Sequence, residues 1–349
     1  MRSDRADPVA IIGGGFSGTM LAAQLARRGV ASRLIEGGGR AGRGTAYATA
    51  EPVHLLNVRA DNMSAWPDAP ADFADHYRAR GGDARGFAER ALYGGYLSAI
   101  LAQAVASGQV ELVARQATGA AVDGEGWRVT LADGAVVAAP ALALAHGNQP
   151  PEPLHAAAGA GERFIADPWS AAAQAAVREA AASGGDVLLI GTGLTMVDMV
   201  LSLDAAGHRG RIVALSRRGL APRAHGEFTP AHVPAEAIPA GDLLALWRWL
   251  RRRSGEVGWR AAVDSLRPHS QALWQALGES DQRRFLRHAR PWWDVHRHRI
   301  APEVARRIAG LVGEGRLEIA AGRVREMRGF AGGVQVRMAR RGLARRPHP

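Results

Sequence analysis

Two glycine turns, each closing an apolar run of β type, constrain this chain more than any other feature. The first is Val9-Ala10-Ile11-Ile12-Gly13-Gly14-Gly15-Phe16-Ser17-Gly18 and the second is Val187-Leu188-Leu189-Ile190-Gly191-Thr192-Gly193-Leu194-Thr195-Met196. An apolar strand that ends in glycines and turns into a helix is the opening of a βαβ nucleotide-binding unit. The turns lie far enough apart for each to open a unit of its own. The pair predicts an α/β fold with two Rossmann-like dinucleotide-binding domains, three-layered around parallel sheets.

Around the first turn, residues 8–12 read as a buried parallel strand and residues 16–28 as a helix with Met20, Leu21 and Leu25 at helical spacing. Ser32 to Ile35 read as the next strand, which ends in Glu36. Gly13 permits the tight turn, Gly15 lets the backbone approach a pyrophosphate, and Gly18 lets the helix pack close to the strand. Phe16 and Ser17 open the helix, whose free N–H groups and partial positive charge suit phosphates. Glu36 stands where a carboxylate would bind ribose hydroxyls.

Around the second turn, Asp186 to Ile190 and Arg211 to Leu215 read as strands, with a helix over Thr195 to Leu203 between them. Gly191, Gly193, Leu194 and Thr195 are the expected pyrophosphate contacts. The third glycine position holds Met196, a departure that moves the helix outward. After the second strand come Ser216, Arg217 and Arg218 in place of an acid. Arginines bind a 2′-phosphate bidentately, whereas an acid repels it. The expected cofactor is therefore NADPH in preference to NADH. One chain that holds two dinucleotides brings a flavin and a nicotinamide together, which makes FAD the expectation for the first turn.

The remaining segments frame these units. Residues 37–70 form a long glycine- and proline-rich loop beside the first turn, and such loops usually carry function. Phe87 to Val105 read as a helix, and Val110–Val113, Trp127–Leu131 and Val136–Leu144 as strands, with a hairpin turn at Asp133-Gly134. This is a β-meander that returns to the sheet and ends at His146-Gly147-Asn148. Residues 240–309 read as mainly helical. Leu243, Leu246, Trp247 and Leu250 share one face of a basic helix there, which suits packing better than a membrane surface. The expected domains are 1–165 for FAD, 166–239 with 310–338 for NAD(P)H, and a helical insertion over 240–309.

Composition excludes several classes. The chain has 349 residues and no cysteine, so disulfides, thiolate metal sites and a redox-active cysteine pair are all absent. No apolar run approaches the ~20 residues of a spanning helix, no signal peptide is recognisable, and a cytoplasmic location is expected. The net charge is +11, yet every basic residue is arginine. That pattern fits a GC-rich coding bias, and no nucleic-acid partner is expected. Asp294, His296 and His298 alternate, but the interleaved Arg297 and Arg299 oppose a metal cation.

Taken together, these segments resemble a bacterial family of FAD/NAD(P)-binding oxidoreductases, distant relatives of flavin monooxygenases, some of which are described as FAD-dependent urate hydroxylases. The matching stretches are Gly44-Thr45-Ala46-Tyr47, His54-Leu55-Leu56-Asn57-Val58, Asp167-Pro168-Trp169, Ile190 to Asp198, Ser216-Arg217-Arg218-Gly219-Leu220 and His296-Arg297-His298-Arg299. The resemblance implies a monooxygenase-type reaction on a small molecule, in which NADPH reduces the flavin and the reduced flavin reacts with oxygen. It places Thr45, Tyr47 and Asn57 near the flavin. His54 and His146 are candidates for a general base, though each fits a structural role better, and no catalytic residue is assigned. The family architecture also implies a final strand and helix returning to the flavin sheet. Here the chain runs instead through Arg340-Arg341-Gly342 to Pro349 without strand or helix periodicity. The expectation is a C-terminal truncation, a disordered tail over 339–349 and a flavin site lacking one wall. A catalytically impaired nucleotide-binding protein is the alternative.

Overall fold

The computed structural model describes residues 7–152 and 154–340 and falls into two compact units, 1–151 and 152–349. In the first unit, β1 (Val9–Ile12) leads into α1 (Phe16–Arg27) and β2 (Ser32–Ile35). Three helices follow, α2 (Gly44–Tyr47), α3 (Asp72–Arg78) and α4 (Arg90–Ala106), before β3 (Val110–Val113). Next come β4 (Ala117–Asp123), β5 (Gly126–Leu131), β6 (Val136–Ala139) and β7 (Leu142–Leu144). The parallel sheet has the order β3-β2-β1-β7, and β4-β5-β6 form an antiparallel meander.

Alternation along β1 and β2 explains the layering. Ile11 and Leu34 point into a core with Met20 of α1 and with Tyr93 and Leu97 of α4. Their neighbours Ala10 and Ile35 point the other way, onto Val129, Leu131 and Ala139 of the meander. Side chains alternate faces along a strand, so helices and meander each cover one face. The run Val136–Leu144, expected as one strand, is two. Pro140 has no N–H to offer a ladder, and the chain changes sheets there, from the meander at Ala139 to the parallel sheet at Leu142. The expected turn at Asp133-Gly134 is present, with Gly134 at φ 82°.

In the second unit, α5 (Ala171–Ser183) precedes β8 (Val187–Ile190), α6 (Leu194–Ala205) and β9 (Ile212–Ser216). A helical segment then runs through α7 (Leu243–Val257), α8 (Trp259–Ser265), α9 (Ser270–Ala276), α10 (Glu279–Arg284), α11 (Arg290–Arg297) and α12 (Pro302–Gly313). Its core joins Leu250 of α7 to Ala262 and Val263 of α8 and to Val233 and Ile238 of the preceding loop. A π-helical turn, Phe285–Ala289, separates α10 from α11. The described residues end in β10 (Leu317–Phe330) and β11 (Gly333–Arg340). Leu317 to Ala321 of β10 run parallel to β9, and the rest of β10 pairs with β11 as a hairpin, giving the order β11-β10-β9-β8.

Of the tail expected to be disordered, Ala339 and Arg340 close β11 and the remainder lies outside the described residues. No helix among the described residues is long and apolar enough to cross a membrane.

Candidate functional site

In the first unit, the candidate site is assembled from three segments, the first being the glycine turn itself. Gly13 has φ 105°, and a Cβ on it would lie 2.3 Å from the Ala145 carbonyl oxygen after β7. A Cβ on Gly18 would lie 1.9 Å from the Gly13 oxygen, so α1 can start this close to β1 only with glycine there. Gly15 is the N-cap of α1 and carries no side-chain cap, which leaves the first-turn N–H groups of Phe16 and Ser17 facing outward. Phe16 is 40% exposed and Ser17 is exposed as well. By contrast, α5 and α7 are capped by the side chains of Ser170 and Asp242.

Glu36 closes the far side. Its Oε2 accepts a hydrogen bond from Gly14 N at 2.8 Å and its Oε1 accepts one from Gly38 N at 2.7 Å. The carboxylate thus fixes the turn, and each oxygen keeps a lone pair for a ribose hydroxyl.

The second segment is the turn before α2. Gly42 N donates to Gly14 O at 2.8 Å, and Gly44, at φ 57°, comes so near Gly15 that a Cβ would meet its Cα at 2.8 Å. These two glycines bring Thr45, which is exposed, and Tyr47, which is half-buried, up to the glycine turn. Gly94 of α4 seats α2, because a Cβ there would lie 2.4 Å from Tyr47 O. The Tyr47 ring meets Tyr93 edge-on at 4.7 Å. Burial raises the Tyr47 phenol, and Arg90 opposes the shift.

The third segment carries Asn57. Leu56 N donates to Ala88 O at 2.8 Å, Arg90 N to His54 O at 2.9 Å, and Arg90 Nε to Leu55 O at 3.0 Å. Residues 54–56, just before Asn57, are thereby pinned along the start of α4. His54 is 2% exposed, and its Nδ1 lies 2.8 Å from Thr49 Oγ1. His146 differs: it is exposed and lies beside Gly13.

The second turn is built on the same plan with more room. Gly191, at φ 114°, donates from its N–H to Leu215 O at 2.8 Å, and a Cβ on Gly191 or Gly193 would meet nothing within 4 Å. The crowding that β7 imposes on Gly13 has no counterpart, since no described strand pairs with the outer side of β8. Met196, in the position of Gly18, buries its side chain. Gly193 caps α6 without a side-chain bond, so the first-turn N–H groups at Leu194 and Thr195 are available.

Thr192 fastens this turn to the loop after β9. Its hydroxyl hydrogen-bonds Ser216 Oγ at 2.8 Å and also the Leu220 carbonyl, while Gly219 N donates to Ser216 Oγ at 3.0 Å. The two arginines at the end of β9 then part company. Arg217 is exposed, whereas Arg218 is half-buried and donates from Nη2 to Arg287 O at 3.2 Å.

Spacing alone did not single out Gly42, Gly94, Thr192 or Ser216. Gly42-Arg43-Gly44 is a second glycine pair close behind the first turn, which is a readable signal of close approach. The Thr192–Ser216 latch joins residues on different elements and leaves no local mark.

Residues 10–149 match a family model described as FAD-NAD(P)-binding, and this segment is an FAD/NAD(P)-binding domain. No curated protein matches the chain by sequence. Among solved structures, the chain is similar to L-lysine 6-monooxygenase from Pseudomonas syringae, with TM-score 0.61 and 16% identity over 96% of this chain and 76% of that one. It is similar to the reduced form of ornithine hydroxylase (PvdA) from Pseudomonas aeruginosa, with TM-score 0.57 and 14% identity over 95% and 77%. It is also similar to lysine monooxygenase NbtG from Nocardia farcinica, with TM-score 0.53 and 17% identity over 97% and 77%. At these identities the likeness is one of fold, that of flavoproteins with two dinucleotide-binding domains.

Proposed function

We propose that the chain is an FAD-dependent, NADPH-using oxidoreductase of monooxygenase type that acts on a small molecule. One observation carries the reading: two uncapped helix starts stand behind glycine turns, the first with an acid at the end of its second strand and the second with arginines there. The domain match over residues 10–149 supports FAD at the first turn. The absence of cysteine removes a disulfide relay as the fate of the electrons.

In this reading, the N–H groups at Gly15, Phe16 and Ser17 receive the FAD pyrophosphate, and Glu36 accepts from its ribose hydroxyls. Thr45 and Tyr47 lie on the segment that adjoins that turn, Asn57 completes the flavin surroundings, and the buried aromatic wall behind Tyr47 excludes water. The N–H groups at Gly193, Leu194 and Thr195 receive the NADPH pyrophosphate, and exposed Arg217 takes the 2′-phosphate. Arg218 contributes once its guanidinium leaves the Arg287 carbonyl. When bound, the two groups supply hydride transfer and oxygen activation; the chain orients and shields them. The FAD domain then spans 1–165, the NAD(P)H domain 166–239 with 310–338, and the helical insertion 240–309.

An anaerobic absorption titration tests this. The full chain, reconstituted with FAD, is expected to carry a flavin band that NADPH bleaches faster than NADH does. No retained flavin, or a band indifferent to both nucleotides, rejects the proposal.

A further inference from the structure

The glycine turns do not account for the run His296-Arg297-His298-Arg299 at the end of α11. Arg299 is 5% exposed. Its guanidinium carbon lies 5.1 Å from the Trp259 ring centroid and 5.5 Å from that of Phe228. Its Nε donates to His296 O at 2.9 Å and its Nη2 to Arg260 O at 3.3 Å. Arg260 stacks on the same indole at 4.3 Å and donates from Nη2 to Ala224 O at 3.0 Å. Its Nε is buried with no hydrogen-bond partner. Gly226 closes over this guanidinium, where a Cβ would come within 3.1 Å.

Two more arginines complete the cluster. Arg297 is half-buried, and Arg267 stands at the exposed side, 3.4 Å from Asp264. Burial lowers Arg297 and Arg299 below the ordinary guanidinium range; Arg267 adds to this at Arg297, and Arg260, Arg267 and Arg297 add to it at Arg299. Asp264 is the one carboxylate that opposes these shifts. Glu227, on the adjoining loop, is exposed and has an interaction of its own.

The donor count is lopsided. A guanidinium has five N–H groups. Among the described residues Arg299 uses two and Arg260 one, all on backbone carbonyls. Two guanidinium groups therefore stack on one indole, with Arg267 and Arg297 in electrostatic reach of Arg299 and Asp264 the carboxylate opposing them. Charge removed from water is costly unless it is compensated, and a guanidinium fork matches a planar or tetrahedral oxyanion.

We propose that Arg260 and Arg299, stacked on Trp259, form with Arg267 and Arg297 a binding site for a small oxyanion, a carboxylate or a phosphate group. The site uses none of the glycine-turn residues and does not depend on the redox reading. A carboxylate-bearing substrate and a phosphorylated ligand share this chemistry.

The test uses the full chain, titrated with inorganic phosphate and separately with malonate at constant ionic strength set by chloride. Calorimetry and the thermal midpoint are the readouts. Saturable binding of at least one anion is expected, with a raised midpoint; preference for phosphate points to a phosphorylated ligand and preference for malonate to a carboxylate. Arg297→Gln is expected to weaken binding at least tenfold. Arg267→Ala, at the exposed side, weakens it severalfold while the anion-free midpoint holds, and it decides the matter should Arg297→Gln fail to fold. Arg217→Ala leaves the binding unchanged. Absent saturation, unchanged affinity in the variants that fold, or loss in Arg217→Ala alone would overturn the proposal.

Discussion

At the scale of single residues, two positions divide fold from ligand. Gly18 is a packing requirement, because any Cβ collides with the Gly13 carbonyl. Gly18→Ala must push α1 away from β1, and overpacking of this kind costs about 1–3 kcal/mol. The expected outcome is a lower thermal midpoint together with weaker FAD retention, read by calorimetry and by flavin absorbance after gel filtration. Arg217 is the opposite case. It is exposed, so Arg217→Ala should leave the midpoint in place. A charge-assisted hydrogen bond is worth about 1.5–3 kcal/mol, so KM for NADPH should rise roughly 10- to 100-fold. KM for NADH should barely move, and an equal rise in both would remove Arg217 from the 2′-phosphate.

At the scale of elements, an ion cluster ties α6 to α12 and β10. Arg307 of α12 donates to both oxygens of Asp204 at 2.6 Å, and Arg316, before β10, adds a contact at 3.1 Å. The hydrogen bond from Arg307 is the main reason the Asp204 carboxyl sits below its ordinary value of 3.8, with burial opposing it. A depressed carboxylate contributes stability that is complete above its unfolded pKa and is lost as pH falls through the folded one. Wild-type stability should therefore drop below about pH 4, and Asp204→Asn should flatten that limb while costing about 2 kcal/mol at neutral pH. Urea melts at several pH values would show both effects, and parallel curves for the two proteins would refute them. The elements themselves were unevenly legible in the sequence. Ser32–Ile35 and Val110–Val113 announced themselves by the apolar pairs Leu34-Ile35 and Leu112-Val113, despite Arg33 and Glu111 within them. Ala117–Asp123 did not, because Ala, Gly and Thr on an exposed edge strand carry no alternation. Ala171–Ser183 is mostly alanine and has good helix propensity but only one buried residue, Ala173, so no apolar stripe marks it. The site followed the same rule. Residues in the contiguous turns were readable, whereas the Thr192–Ser216 latch and the seat that Gly94 gives Tyr47 arise only when distant segments meet.

At the scale of the whole molecule, two compact units each present one glycine turn. Disabling one turn should leave the other site intact. A bulky substitution at the open cradle, Gly193→Val, is expected to abolish NADP binding by calorimetry while FAD still copurifies; Gly15→Val should do the reverse. Loss of both ligands in either variant would contradict independent sites. The break at Pro140 bears on this from another direction. Because the chain leaves the meander at Ala139 and enters the parallel sheet only at Leu142, the short connection absorbs a gained or lost residue without inverting either strand's faces. Lineages can thus lengthen or shorten this joint as they diverge, while an insertion one step earlier, among Val136 to Ala139, would turn a strand inside out and be eliminated.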